Sequence, residues 1–113
     1  MKAILLDSEK HLHWSDVPDP CLGEEDCLIQ IEAAALNRAD LMQREGDYPP
    51  PPGCPEWMGL EIAGTIVKMG EGAKKKSRYH IGDKVCALLG GGGYAQYANV
   101  PYDMMMPVPA NCS

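Results

Sequence analysis

Apolar and polar side chains alternate most clearly over residues 27–35. Ile29, Ile31 and Ala33 fall on one side of an extended chain, and their neighbours fall on the other. This is the period of a half-buried β-strand. Shorter runs rich in apolar or β-branched residues predict further strands at residues 2–6, 11–17, 61–69 and 84–89. A glycine turn at residues 90–93 then predicts a hairpin partner for the last of these at residues 94–100.

The segment after the strand at 27–35 has the pattern of a helix. Asn37 stands at the expected N-cap position, where its side-chain oxygen can accept a free N–H of the first turn, and Leu41 follows four residues later. The helix is expected to end near Gly46. Residues 47–55 contain five prolines, which excludes regular helix or central strand and predicts a stiff arm resembling polyproline II.

These elements predict a mainly β fold. Several short strands, many glycines and one or two short helices favour a small, partly open β-barrel. The chain has 113 residues, which is enough for one small domain. Residues 1–113 are therefore interpreted as a single domain.

Composition narrows the classes of function. The net charge of −6 argues against non-specific binding of nucleic acid, which needs a basic surface. No apolar run approaches the roughly 20 residues of a membrane span, and the N-terminus lacks the layout of a signal peptide. The expected location is the cytoplasm. The five cysteines contain no Cys-x-x-Cys pair and are interpreted as unpaired thiols.

Two glycine-containing segments resemble phosphate-binding motifs without matching them. Residues 70–77 nearly spell a P-loop, but Lys75 stands where the motif requires glycine. The basic residues 74–78 are interpreted as a solvated loop, with a contact to a cofactor 2′-phosphate as the alternative. Residues 90–93 are followed by no helix, which favours a tight turn over a dinucleotide fingerprint.

One combination of motifs points to a known family. It contains Leu36-Asn37 and Asp40 on the helix, then Tyr48 with Pro50-Pro51, and finally Gly59-Leu60-Glu61. This combination resembles the N-terminal GroES-like domain of the zinc-free quinone oxidoreductases, in the medium-chain dehydrogenase/reductase superfamily. The wording of residues 37–44 is closest to the tumour-suppressor-inducible branch. The resemblance implies that a C-terminal Rossmann domain is absent from this chain.

The same resemblance bears on zinc binding. In the zinc alcohol dehydrogenases of the superfamily, a metal-binding cysteine stands at the position of Asn37 and a metal-binding histidine at that of Leu60. An amide and an alkyl side chain are poor replacements for thiolate and imidazole. The resemblance therefore implies hydride transfer from NADPH directly to a quinone, without a metal, and binding of NADPH mainly by the absent domain.

The resemblance also assigns candidate site residues. Asn37 would lie beside the nicotinamide, and Tyr48 would line the cofactor and quinone pocket with Leu60 and Leu88. Asp40 and Glu61 would support the site from behind, with an ion pair as the simpler role of Glu61. The alternatives are that Asn37 is only a helix cap and that Tyr48 is an exposed loop aromatic.

Two other functions fit parts of this pattern. An enoyl or alkenal reductase of the same superfamily shares the fold, cofactor and hydride transfer and differs in its acceptor, an enone instead of a quinone. A non-enzymatic GroES-like interaction module, such as a co-chaperonin, would need a mobile glycine-rich loop, and the proline-rich arm is too stiff for that. The parent of a quinone oxidoreductase domain is expected to be a homodimer.

Overall fold

The computed structural model describes residues 1–7, 9–45, 57–89 and 91–108. The fold is mainly β, as the sequence pattern predicts. The polyproline arm predicted at 47–55 lies outside the described residues. In chain order the elements are β1 (Lys2–Leu6), β2 (Leu12–Asp16), β3 (Asp26–Ala34), α1 (Arg38–Arg44), β4 (Glu61–Met69), α2 (Glu71–Lys76), β5 (Lys84–Leu88), β6 (Tyr97–Pro101), a 3₁₀ turn (Tyr102–Met104) and β7 (Met105–Pro107).

Five strands form one antiparallel sheet in the order β6-β3-β4-β5-β7, and β1 and β2 form a separate hairpin. An isolated bridge pairs Ala3 of β1 with Ala95, which lies just before β6. Within the described residues the larger sheet does not close on itself. The architecture is thus a partly open barrel, as expected for a GroES-like domain.

One face of the large sheet forms the core. Alternate side chains of its strands point inward, and the periodicity of β3 and β4 is what the sequence predicts. The buried residues of this cluster are Cys27, Ile29, Ile62, Ile66, Met69, Ala73, Val85, Ala87, Ala98, Val100 and Met105.

The predicted hairpin between residues 84–89 and 94–100 is wrong. β5 pairs with β4 and β7, whereas β6 pairs with β3. The glycine-rich stretch between them cannot serve as a hairpin turn because its backbone bonds elsewhere. Gly92, Gly93 and Tyr94 donate their N–H groups to the carbonyls of Trp57, Gly59 and Met58, at 2.8–3.0 Å.

The basic segment 74–78, predicted to be a loop, is helical in its first three residues, which end the helix Glu71–Lys76. Its three lysines are exposed, as expected for a solvated segment. The helix forms because Ala73 is fully buried and its N–H bonds the carbonyl of Glu24 at 3.0 Å. β7 was also not predicted, since a three-residue strand is too short to show a period.

Both described α-helices are shorter than eight residues. Within the described part of the chain, neither helix has the length or the apolar character to cross a membrane.

Three described cysteines are free thiols, and they differ in burial. Cys27 is fully buried, and burial raises the pKa of its thiol. Cys21 is exposed.

In a variant with Cys54 and Cys112 replaced by serine, we expect Cys21 to react quickly with a thiol reagent. Cys27 should react at least roughly 100-fold more slowly than Cys21, because its reaction needs local opening of the sheet. Equal rates for Cys21 and Cys27 would contradict the placement of β3 in the core.

Candidate functional site

The candidate site begins where β3 ends and α1 starts. Asn37 immediately precedes α1, at the N-cap position that the sequence predicts. The Asn37 N–H donates to Oδ2 of Asp40 at 2.8 Å, and the Asp40 N–H donates to the Asn37 carbonyl at 3.0 Å. The carboxylate at the third helical position thus bonds back to the cap residue, which is one half of a capping box. This reciprocal pairing fixes the backbone of Asn37.

Asp40 is almost completely buried, with 6% of its surface exposed. Its Oδ2 also accepts a hydrogen bond from the Tyr94 hydroxyl at 2.5 Å. The same hydroxyl lies 3.1 Å from the carbonyl of Ala35. Burial, and then the neighbouring Asp40 carboxylate, raise the pKa of Tyr94 well above its usual range. Tyr94 is therefore protonated at neutral pH and acts as a donor.

Two buried polar atoms of this network have no hydrogen-bond partner among the described residues. They are Nδ2 of Asn37, which is a donor, and Oδ1 of Asp40, which is an acceptor. A buried polar atom without a partner costs about 1–3 kcal/mol. The site thus has one donor, on Asn37, and one acceptor, on Asp40, that no described residue satisfies.

The segment before β4 lies against the glycine-rich stretch. Leu60 is half-buried, and its carbonyl accepts the N–H of Leu89 at 2.6 Å. The carbonyl of Glu61 accepts the N–H of Ala35 at 3.0 Å, which joins this segment to the end of β3. Glu61 is half-buried, and its carboxylate forms no ion pair with any of the described residues. The ion pair considered as its simpler role is therefore not seen there.

An apolar depression of about 360 Å³ lies beside this junction, on the outer face of the sheet. It runs across β3, β4 and β5, and Leu88 contributes to it whereas Leu60 does not. Alanine dominates its lining, so the wall is shallow and leaves room for a flat group. The lining residues are Ala33, Ala34, Ala35, Glu61, Ile62, Ala63, Cys86, Ala87, Leu88 and Met106.

The structure thus brings Asn37 and Asp40 into direct contact and places Leu88 in the neighbouring depression. Tyr48, the other predicted site residue, lies outside the described residues. Tyr94 was missed, because the sequence pattern placed it in a hairpin strand. It meets Asp40 across 54 positions of the chain, and no local pattern signals so distant a contact.

The described residues contain no group of three or more His, Cys, Asp or Glu side chains suited to hold a metal. The resemblance assigns the zinc-ligand positions of the superfamily to residues 37 and 60, and these carry the amide of Asn37 and the alkyl side chain of Leu60. Neither offers the thiolate or imidazole that zinc prefers. The donor set at this position does not fit a zinc ion.

Comparison with known proteins identifies similar chains. Residues 23–110 match the family described as the alcohol dehydrogenase GroES-like domain. Among curated proteins, the acryloyl-coenzyme A reductase of Sulfurisphaera tokodaii is 39% identical over 90 residues, covering 79% of this chain and 26% of that protein. The quinone oxidoreductase of Mus musculus is 33% identical over 96 residues, covering 84% and 28%.

Solved structures share the fold. The quinone oxidoreductase from Thermus thermophilus, which was also solved in complex with NADPH, superposes with a TM-score of 0.76 at 29% identity. The match covers 100% of this chain and 34% of that one. The chain spans between 22% and 40% of the length of the curated relatives that it matches.

Proposed function

Because the chain belongs to the alcohol dehydrogenase GroES-like domain family, we propose that it is the substrate-side domain of an NADPH-dependent quinone oxidoreductase that works without zinc. Its relatives are oxidoreductases of the medium-chain dehydrogenase/reductase superfamily. The observation that carries the finer proposal is the buried Nδ2 of Asn37, which has no hydrogen-bond partner among the described residues and stands where the resemblance puts a zinc ligand.

A nicotinamide cofactor fits the residues present. The carboxamide and ribose oxygens of NADPH are acceptors, and Nδ2 of Asn37 is a buried donor without a partner among the described residues. When bound, NADPH supplies a hydride, and the protein contributes binding, orientation and a dry surrounding. The proposal assigns most of the cofactor contacts to a Rossmann domain outside this chain, where a helix N-terminus would hold the phosphates.

Each candidate site residue has a separate role in this proposal. Asn37 orients the cofactor or the acceptor carbonyl by donating from Nδ2. The carboxylate of Asp40 holds the backbone of Asn37 by accepting the N–H of Asn37. The depression next to Leu88 offers an apolar wall to a flat acceptor ring and excludes water from it. A proton for the reduced quinone comes from solvent, because Tyr94 is held as a donor to Asp40 and stays protonated.

Reduction of a carbon–carbon double bond is the second candidate. The similarity to the acryloyl-coenzyme A reductase, at 39% identity, favours an acceptor in which the double bond is conjugated to a carbonyl. Such an acceptor would offer the same oxygen to Asn37. Under either reading we propose a homodimeric parent in the cytoplasm.

Replacing Asn37 by alanine tests the proposal. We expect kcat/KM for NADPH-dependent quinone reduction to fall about 10- to 100-fold, which corresponds to the loss of one buried hydrogen bond to the ligand. Oxidation of NADPH by 1,2- and 1,4-quinones and by enones is followed with and without a chelator. Turnover is measured in the chain extended by its natural downstream reading frame, since we expect the 113-residue chain alone to be inactive.

Asn99→Ala is the matched control. The Nδ2 of Asn99 bonds the carbonyl of Cys21 at 2.8 Å and a carboxylate oxygen of Asp26 at 3.0 Å, away from the candidate site. We expect this variant to lose stability and keep its kinetic constants. Loss of turnover in chelator would overturn the zinc-free mechanism. Turnover of enones without turnover of quinones would replace the first candidate by the second.

A further inference from the structure

Tyr94 is anchored by its backbone on two sides. Its N–H donates to the carbonyl of Met58 at 2.9 Å, and its carbonyl accepts the N–H of Ile4 at 2.8 Å. The first bond ties it to the segment before β4, and the second ties it to β1. The phenol therefore extends from a backbone that two separate elements hold in place.

The hydroxyl of Tyr94 reaches α1 from this anchor. It lies 2.5 Å from Oδ2 of Asp40 and 3.1 Å from the carbonyl of Ala35. A phenol has one proton to donate. An ionised acceptor forms a shorter and stronger hydrogen bond than a neutral carbonyl, so the proton is directed to Asp40.

Oδ2 of Asp40 accepts both hydrogen bonds that the described residues donate to this carboxylate, one from the Tyr94 hydroxyl and one from the backbone N–H of Asn37. Oδ1 accepts none from the described residues. Without the hydroxyl, a single hydrogen bond would orient the carboxylate. A carboxylate that can turn about its Cβ–Cγ bond would no longer hold the Asn37 N–H in one direction.

We propose that Tyr94 is a positioning residue, which acts through Asp40 to hold Asn37 in the orientation that binds the cofactor or acceptor. Its anchor on the segment before β4 and on β1 connects the cap of α1 to the rest of the barrel. The inference rests on the proposed function only for the role of Asn37. The coupling from Tyr94 to Asn37 is a property of the chain itself and can be measured without turnover.

Tyr94→Phe is the test, because it removes the hydroxyl and keeps the ring. Tyr79→Phe is the matched control, since the Tyr79 hydroxyl also donates to a carbonyl, that of Met105 in β7, at 3.1 Å. Both variants lose one phenol hydrogen bond. In the 113-residue chain, we expect Tyr94→Phe to lower the exchange protection of the Asn37 N–H about tenfold. It should also shift the side-chain amide signals of Asn37 in NMR spectra. Tyr79→Phe should do neither.

In the turnover assay, we expect Tyr94→Phe to raise KM for NADPH about tenfold with a change in kcat of less than about twofold. Tyr79→Phe should leave both constants unchanged. If Asn37→Ala lowers turnover and Tyr94→Phe changes neither KM nor the Asn37 signals, the positioning role is wrong and the proposed function stands. If Asn37→Ala has no effect on turnover while Tyr94→Phe still moves the Asn37 signals, the coupling stands and the proposed function fails.

Discussion

Gly59→Ala is expected to unfold this domain at much lower urea concentration than the wild type, with a loss of about 2–5 kcal/mol. Gly59 has a φ of +111°, which is unfavourable for a residue with a Cβ and costs about 1–2 kcal/mol. A Cβ at this position would also lie 2.5 Å from the backbone N of Tyr94 and 2.6 Å from Cα of Gly93. Since these are backbone atoms of a paired segment, they yield only by moving the chain, which adds about 1–3 kcal/mol.

Gly82→Ala separates the two contributions. Gly82 also has a positive φ, of +98°, but a Cβ there would meet no described atom within 4 Å. We expect it to lose only the conformational part, about 1–2 kcal/mol. Urea unfolding of both variants, followed by far-UV circular dichroism, gives the comparison. Equal losses would mean that the contact between residues 59 and 93–94 is not close-packed.

Asp40→Ala is expected to cost about 2–4 kcal/mol of unfolding free energy. Truncation leaves the Asn37 N–H without its acceptor at a buried site, since only 6% of Asp40 is exposed, and leaves the Tyr94 hydroxyl only the weaker acceptor, the carbonyl of Ala35. An unpaired buried donor costs about 1–3 kcal/mol. Loss of the negative charge in the first turn of α1 adds a few tenths of a kcal/mol. Chemical denaturation measures the difference.

Asp83→Ala is the matched control for Asp40→Ala. Asp83 accepts the backbone N–H of His80, three residues before it, at 2.8 Å. This repeats the spacing between Asn37 and Asp40, but in a turn that water reaches. We expect a loss of at most about 1 kcal/mol, because water replaces the carboxylate. Asp40→Asn keeps one acceptor oxygen and should fall between wild type and Asp40→Ala. A loss in Asp40→Ala no greater than in Asp83→Ala would contradict the proposed network.

The local pattern predicted much of the secondary structure. β1 and β4 have the predicted bounds, β3 is shifted by one residue at both ends, and β5 is one residue shorter at its C-terminal end. Each is specified by the alternation of side chains within its own few residues, which sequence shows directly. α2 was not predicted because its helical form depends on the burial of Ala73 and on a backbone hydrogen bond to Glu24.

Strand pairing was predicted less well than strand position. The rule that neighbouring strands joined by a glycine turn form a hairpin placed β6 next to β5. In the structure β6 adds to β3, which lies far before it in the chain, and the intervening glycines pair with residues 57–59. All the strands compete for backbone partners, and this competition decides which edge of the sheet a strand joins. The side-chain pattern of one strand does not show its outcome.

The sequence by itself determined the chemistry available at the candidate site. It has an amide at residue 37 and an alkyl side chain at residue 60, the two positions that the resemblance assigns to zinc ligands, and it places Asn37 at the start of a helix by local capping rules. Only the tertiary structure decided that Tyr94 meets Asp40 and so supports Asn37. Capping and alternation act over a few residues and can be read along the chain. A contact across 54 positions exists only after the sheet has brought β1, the segment before β4 and the glycine-rich stretch together.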